Sequence, residues 1–103
     1  MKIYLSGPMT GMPDYNMPEF DRVAGLLHKM GHQVYNPADT NDDFLQDRRR
    51  VWVQHCTWII NEAQALVYLP GSEKSVGAQV EIRLAEAMDV PCIPWNKVHA
   101  SDL

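Results

Sequence analysis

Short apolar runs alternate with segments of helical period along this chain of 103 residues, and that alternation constrains its fold more than any other feature. Lys2-Ile3-Tyr4-Leu5-Ser6 stops at Gly7-Pro8, His32-Gln33-Val34-Tyr35-Asn36 at Pro37, and Ala65-Leu66-Val67-Tyr68-Leu69 at Pro70-Gly71, while Val90-Pro91-Cys92-Ile93 makes a fourth run. Runs that are apolar nearly throughout belong to strands covered on both faces, as in a parallel sheet. After the first run, Phe20, Val23, Ala24, Leu27 and Met30 recur at three- and four-residue spacing, which predicts a helix over 17–30. Asn16 suits its N-cap, Pro18 its first turn and Glu19 the far side of a capping box, and Gly31 stands where a left-handed residue ends it. Residues 43–62 are helical in pattern again, and Ser75 caps a helix over 76–88.

Strands alternating with helices predict a doubly wound α/β domain of flavodoxin- or Rossmann-like kind: an open parallel sheet of four to five strands, right-handed crossovers and helices on both faces. A chain of this length forms one domain over 1–103, with residues 95–103 as a tail that docks or frays. Open sheets of this type bind ligands beyond the carboxyl ends of their strands. That rule gathers the loops 7–15, 37–43 and 70–77 around one crevice. A domain this small buries only about two-thirds of its unfolded surface, so a pocket completed by a second copy, in a homodimer or larger homo-oligomer, is expected.

Nine basic against thirteen acidic residues give a net charge of −4, which disfavours a sequence-independent grip on nucleic acid. The local exception, Arg48-Arg49-Arg50, follows Asp42, Asp43 and Asp47 and reads either as a mixed-charge solvated helix face or as a phosphate partner. No leader-like start and no apolar run of membrane-spanning length are present, so a cytoplasmic protein without membrane contact is expected. Cys56 and Cys92 lack ligand spacing to each other or to a histidine pair, and neither a disulfide nor a metal is expected. His28, His32, His55 and His99 show no triad spacing, no nucleophile elbow surrounds a serine, and no dinucleotide-binding glycine fingerprint follows the first run.

The densest chemistry lies in Leu69-Pro70-Gly71-Ser72-Glu73-Lys74-Ser75-Val76-Gly77-Ala78-Gln79-Val80-Glu81: a strand end, a flexible loop, a cap and a helix carrying a carboxylate on its second turn. N–H groups at 75–78 would attract an anion or a sugar hydroxyl, and Gly77 lets a ligand approach the backbone. Glu81 then reads either as a nucleophile kept ionised by the helix dipole or as an ordinary helix-start glutamate stabilised by it. Tyr4 reads either as a functional hydroxyl or as a core aromatic. Val51, Trp52, Val53, Cys56, Trp58, Ile59 and Ile60 cover more than one face of their helix, which implies a subunit interface or an overlying loop.

Taken in order, Tyr4-Leu5-Ser6-Gly7-Pro8-Met9-Thr10-Gly11, Asp14-Tyr15-Asn16, Gly31-His32, Asn36-Pro37-Ala38, Leu69-Pro70-Gly71 and Ser75-x-Gly77-Ala78-x-x-Glu81 resemble the nucleoside 2-deoxyribosyltransferase superfamily over residues 2–94, and within it a small branch found in phages and prophages. The resemblance implies a cofactor-free enzyme that cleaves the N-glycosidic bond of a deoxynucleoside or its monophosphate, by transfer or by hydrolysis. It assigns Glu81 as nucleophile and Tyr4 as the residue that orients it. It implies that the Ser75-x-Gly77 turn cradles the 5′ end of the sugar, and Gly7, Pro8, Met9, Asp14, Asn16, Asn36, Asp39, Gly71 and Ala78 complete the candidate substrate-binding set. Two acidic positions of the family pattern are replaced. A gapless count from the third strand puts Cys56 where an aspartate faces the departing base, and Gln64 stands for an aspartate before that strand. Asp14, Asp39, Asp42 or Asp43 could serve the leaving group instead. Without turnover, the same scaffold would be a nucleotide-binding module; a protein-interaction role for the Trp52 and Trp58 surface is the third reading.

Overall fold

The structure is a computed structural model and describes residues 1–40, 46–98 and 103. The four apolar runs become β1 (Lys2–Ser6), β2 (Gln33–Tyr35), β3 (Ala65–Tyr68) and β4 (Cys92–Pro94). All neighbouring pairs are parallel, in the order β2-β1-β3-β4, with Tyr4 opposite Tyr35 on one side and Leu66 on the other. Helices α1 (Met17–Lys29), α2 (Arg48–Asn61) and α3 (Val76–Ala87) connect them. The chain is a doubly wound α/β domain with helices on both faces of its sheet.

Side-chain alternation along β1 sorts the two faces. Ile3 and Leu5 join Phe20, Val23 and Leu27 of α1 in one core cluster. Tyr4 joins Ile59 of α2 and Ile82 and Ala85 of α3 in the other. Burying Phe20, Val23 and Leu27 holds α1 on the sheet with about 2 kcal/mol each. The order places the change of winding direction between β1 and β3, so their carboxyl ends flank the crevice where such folds bind ligands.

Local signals set the ends of the elements, with three differences from expectation. Gly31 is left-handed (φ +94°), and the N–H groups of Gly31 and His32 donate to the carbonyls of His28 and Leu27, the paired bonds of a Schellman stop. Asn16 occupies the N-cap position of α1 but is itself left-handed and makes no side-chain cap, while Glu19 binds Arg22 rather than closing a capping box. Asp14 and Tyr15 are left-handed too, so the chain enters α1 through three left-handed residues rather than through the extended backbone that an N-cap side chain uses. α2 begins at Arg48, where the Asp47 carboxylate accepts from the Arg50 N–H; residues 41–45, including Asp42 and Asp43, lie outside the described residues. β4 starts two residues later than the pattern implies, because Asp89 and Val90 are spent on a second Schellman stop at the end of α3. Of the tail, Trp95, Val98 and Leu103 pack on the α1 side of the core. Among the described residues no helix is long and apolar enough to cross a membrane.

Candidate active site

Glu81 projects from the buried stripe of α3, which otherwise consists of Ala78, Ile82 and Ala85. It is 6% exposed, and both carboxylate oxygens are held. Tyr4 Oη donates to Oε2 at 2.5 Å and Ser6 Oγ donates to Oε1 at 2.7 Å. Tyr4 and Ser6 reach it together because they are alternate residues of β1 and share the face opposite Ile3 and Leu5. Two hydrogen bonds to the charged form pull the Glu81 pKa down, yet burial outweighs them and pushes it up to about 7. The helix dipole does not decide its charge, since Glu81 lies beyond the first turn, where that effect fades.

A third group closes the cluster. His55, on the buried stripe Val51, His55, Ile59 of α2, lies with Nδ1 2.9 Å from Tyr4 Oη and 3.6 Å from Glu81 Oε2. Burial lowers its pKa to about 4, and burial with the nearby Glu81 raises that of Tyr4 well above the ordinary phenol value. Tyr35 stacks on Tyr4 at 5.1 Å between ring centroids, and Trp58 lies 5.1 Å from Tyr35. The Tyr35 hydroxyl is buried with no hydrogen-bond partner among the described residues.

Glu81 and His55 line a cleft of about 700 Å³ whose wall also includes Gly7, Met9, Ser75, Gly77 and Ala78 of the expected substrate-binding set. Thr10, Tyr15, Arg48, Trp52 and Lys74 also line it. Gly7 is required by packing, because a Cβ there would stand 2.9 Å from Leu69 Cβ. Two of the four backbone N–H groups expected to await a ligand are already engaged. Ser75 donates to the Ser72 carbonyl, and Ala78 donates to Ser75 Oγ, which caps α3 as the sequence predicts.

Other expected positions fall off the cleft lining. Asn36 is spent on a turn, donating to Asp21 and accepting from the Ala38 N–H. Pro8 packs against Gly71, which needs its left-handed backbone (φ +92°). Asp14 and Asp39 are exposed, and Asn16 flanks Tyr15 without lining the cleft itself. Gln64 caps the opposite end of the sheet, accepting from the Lys2 N–H, so its lack of an acid has no bearing on the cleft. On α2 it is His55, one residue before the counted position Cys56, that meets Tyr4 and Glu81. Much of that helix's surplus apolar surface turns inward too, Trp58 onto Tyr4 and Tyr35 and Trp52 to within 3.6 Å of where a Gly77 Cβ would stand.

His55 and Ser6 are the functional candidates that spacing rules for triads and elbows miss. A polar residue set into an apolar stripe, Val51-x-x-x-His55-x-x-x-Ile59, is the signal that points to the first. Among the described residues no group of three metal-ligating side chains converges. A second depression of about 590 Å³, lined by Tyr68, Ile82 and Glu86 among others, is shallow and holds no buried titratable cluster.

The profile of the family described as Domain of unknown function (DUF4406) matches residues 1–93. The chain belongs to this family. A search of curated proteins found no match. The match spans β1 through Ile93 in β4, so every residue of the Glu81 cluster lies within the family domain.

Proposed function

We propose that the chain cleaves the N-glycosidic bond of a deoxynucleoside or deoxynucleoside monophosphate, with Glu81 attacking the anomeric carbon. The observation that carries this reading is a buried carboxylate on the cleft lining with both oxygens fixed, by Tyr4 and Ser6. Glycosyl transfer runs through an oxocarbenium-like transition state that a fixed carboxylate stabilises and then captures as a covalent intermediate. Tyr4 and Ser6 hold the carboxylate in one orientation, which removes part of the entropic cost of attack. As Glu81 bonds to C1′, the C1′–N bond breaks and the base leaves with the electron pair and takes up a proton. Water or a second base then attacks the intermediate and restores the carboxylate.

The resemblance of the ordered motifs to those of the nucleoside 2-deoxyribosyltransferase superfamily supports the same assignment. Arg48 and Lys74 on the cleft wall suit a substrate carrying a 5′-phosphate. Val76 at the mouth is 83% exposed, with Val80 on its helix and Val53 on α2 also exposed, which supports closure of the cleft by a second copy.

Incubation with a panel of deoxynucleosides and their monophosphates, followed by chromatography of free base, tests the reading. Release that Glu81→Ala abolishes is expected. Binding without turnover is the second reading, favoured by Cys56 at the counted acid position. It takes over when no panel member is cleaved while one of them still raises the melting temperature.

A further inference from the structure

Attack by Glu81 leaves one buried titratable side chain at the cleft without a role. His55 is 7% exposed, forms part of the cleft wall, and hydrogen-bonds through Nδ1 to the Tyr4 hydroxyl that holds Glu81. Glu81, Tyr4 and His55 thus stand in one hydrogen-bonded row, 2.5 Å and 2.9 Å between successive atoms, running from the nucleophile to the cleft wall. We propose that His55 is the acid–base group of the reaction, passing one proton between the substrate and Glu81 through the Tyr4 hydroxyl; this rests on the glycosidic-bond reading above.

The row carries a proton in either direction, because a tyrosine hydroxyl both donates and accepts and each imidazole nitrogen can do either. In its protonated state Glu81 donates to Tyr4 Oη, Tyr4 donates to His55 Nδ1, and His55 keeps a proton on Nε2. As Glu81 attacks C1′, its proton moves to Tyr4, the Tyr4 proton moves to Nδ1, and the Nε2 proton goes to the departing base. The C1′–N pair leaves with the base while a carboxylate pair forms the C1′–O bond. One shift of protons therefore creates the nucleophile and the acid together. In the second half, water or an acceptor base gives its proton to Nε2 as it bonds to C1′. Nδ1 returns a proton to Tyr4, and Tyr4 returns one to the carboxylate as the ester bond to Glu81 breaks.

Burial favours this arrangement. With Glu81 pushed up to about 7, His55 down to about 4 and Tyr4 far above both, the row holds one mobile proton between those limits, resting on Glu81. Among the described residues, the other groups facing Glu81 are Ser6 of β1, Cys56 of α2 and Tyr35 of β2, and burial raises the pKa of the last two, which keeps them neutral there.

The test compares wild type, His55→Ala and His55→Gln on a deoxynucleoside that the wild type cleaves and, in single turnover, on p-nitrophenyl 2-deoxyriboside, whose phenolate departs without a proton. Both variants are expected to lose about 10²-fold or more on the nucleoside and to stay within a few-fold of wild type on the nitrophenyl glycoside. In the wild type, nucleoside cleavage should fall as pH rises past about 7 while nitrophenolate release rises through the same range. Melting temperatures of both variants separate misfolding from chemistry, and His55→Gln keeps an amide beside Tyr4. Variants that cleave nucleosides at the wild-type rate, or that lose both substrates equally with an unchanged melting temperature, overturn the acid–base role alone. A wild type that releases neither base nor nitrophenolate overturns the glycosidic-bond reading itself.

Discussion

Glu81 and His55 titrate in opposite senses within one cluster, and folding stability should register both. The Glu81 pKa is raised from 4.5 to about 7, so the stability carried by its protonated form is complete below 4.5 and is lost as pH climbs through about 7. The His55 pKa is lowered from 6.5 to about 4, so the stability carried by its neutral form is complete above 6.5 and is lost as pH falls toward 4. In the wild type these slopes oppose each other. Relative to wild type, Glu81→Gln should gain stability as pH rises across that window and His55→Gln should lose it, as read by denaturant unfolding at a series of pH values. Identical slopes in all three proteins would contradict the buried titration. At Tyr35 the buried hydroxyl has no partner among the described residues, so Tyr35→Phe should raise stability by about 1 kcal/mol in thermal unfolding.

The ends of the helices show how far local rules reach. Both α1 and α3 stop in Schellman geometry, the first with Gly31 and the second with Asp89 at φ 58°. A β-carbon in the left-handed region costs about 1 kcal/mol, so Asp89→Gly should stabilise by about 0.5–1 kcal/mol and Gly31→Ala should destabilise by a similar amount. A drop in melting temperature for Asp89→Gly would show that the Asp89 side chain contributes more than its backbone strain removes. Beyond the end of β1, Gly7 is held by contact rather than by torsion. Gly7→Ala would press on Leu69 and on Phe20 Cζ, 3.1 Å away, and should cost about 1–3 kcal/mol in chemical denaturation.

At the level of the whole molecule, the crevice between the ends of β1 and β3 is lined by residues from both halves of the chain. Val53 at 66% and Val76 at 83% exposure are the most exposed large apolar side chains described, one on each of two helices that pack together. If a second copy covers them, sedimentation at micromolar concentration should give a dimer or larger species, and Val76→Glu should reduce it to a monomer with weakened ligand binding. A wild type that sediments as a monomer throughout would leave the cleft to be closed by the chain itself.

Strand positions, helix faces and the parallel winding were legible in the sequence because they follow from period and punctuation: apolar runs cut by proline and glycine, a 3.6-residue stripe, a serine cap at Ser75 and a glycine stop at Gly31. Glu81 was legible as a carboxylate on the second turn of a capped helix. Of the side chains packed around it, Tyr4 was assigned by the resemblance alone, and Ser6 and His55 were not legible. Tyr4, Ser6 and His55 lie 77, 75 and 26 residues from it in sequence, and only the packing of β1, α2 and α3 against one another brings them within reach. Spacing rules read neighbours along one element, whereas a buried charge is tuned by whatever the fold stacks around it. Counting along α2 therefore stopped at Cys56, and tertiary packing chose His55.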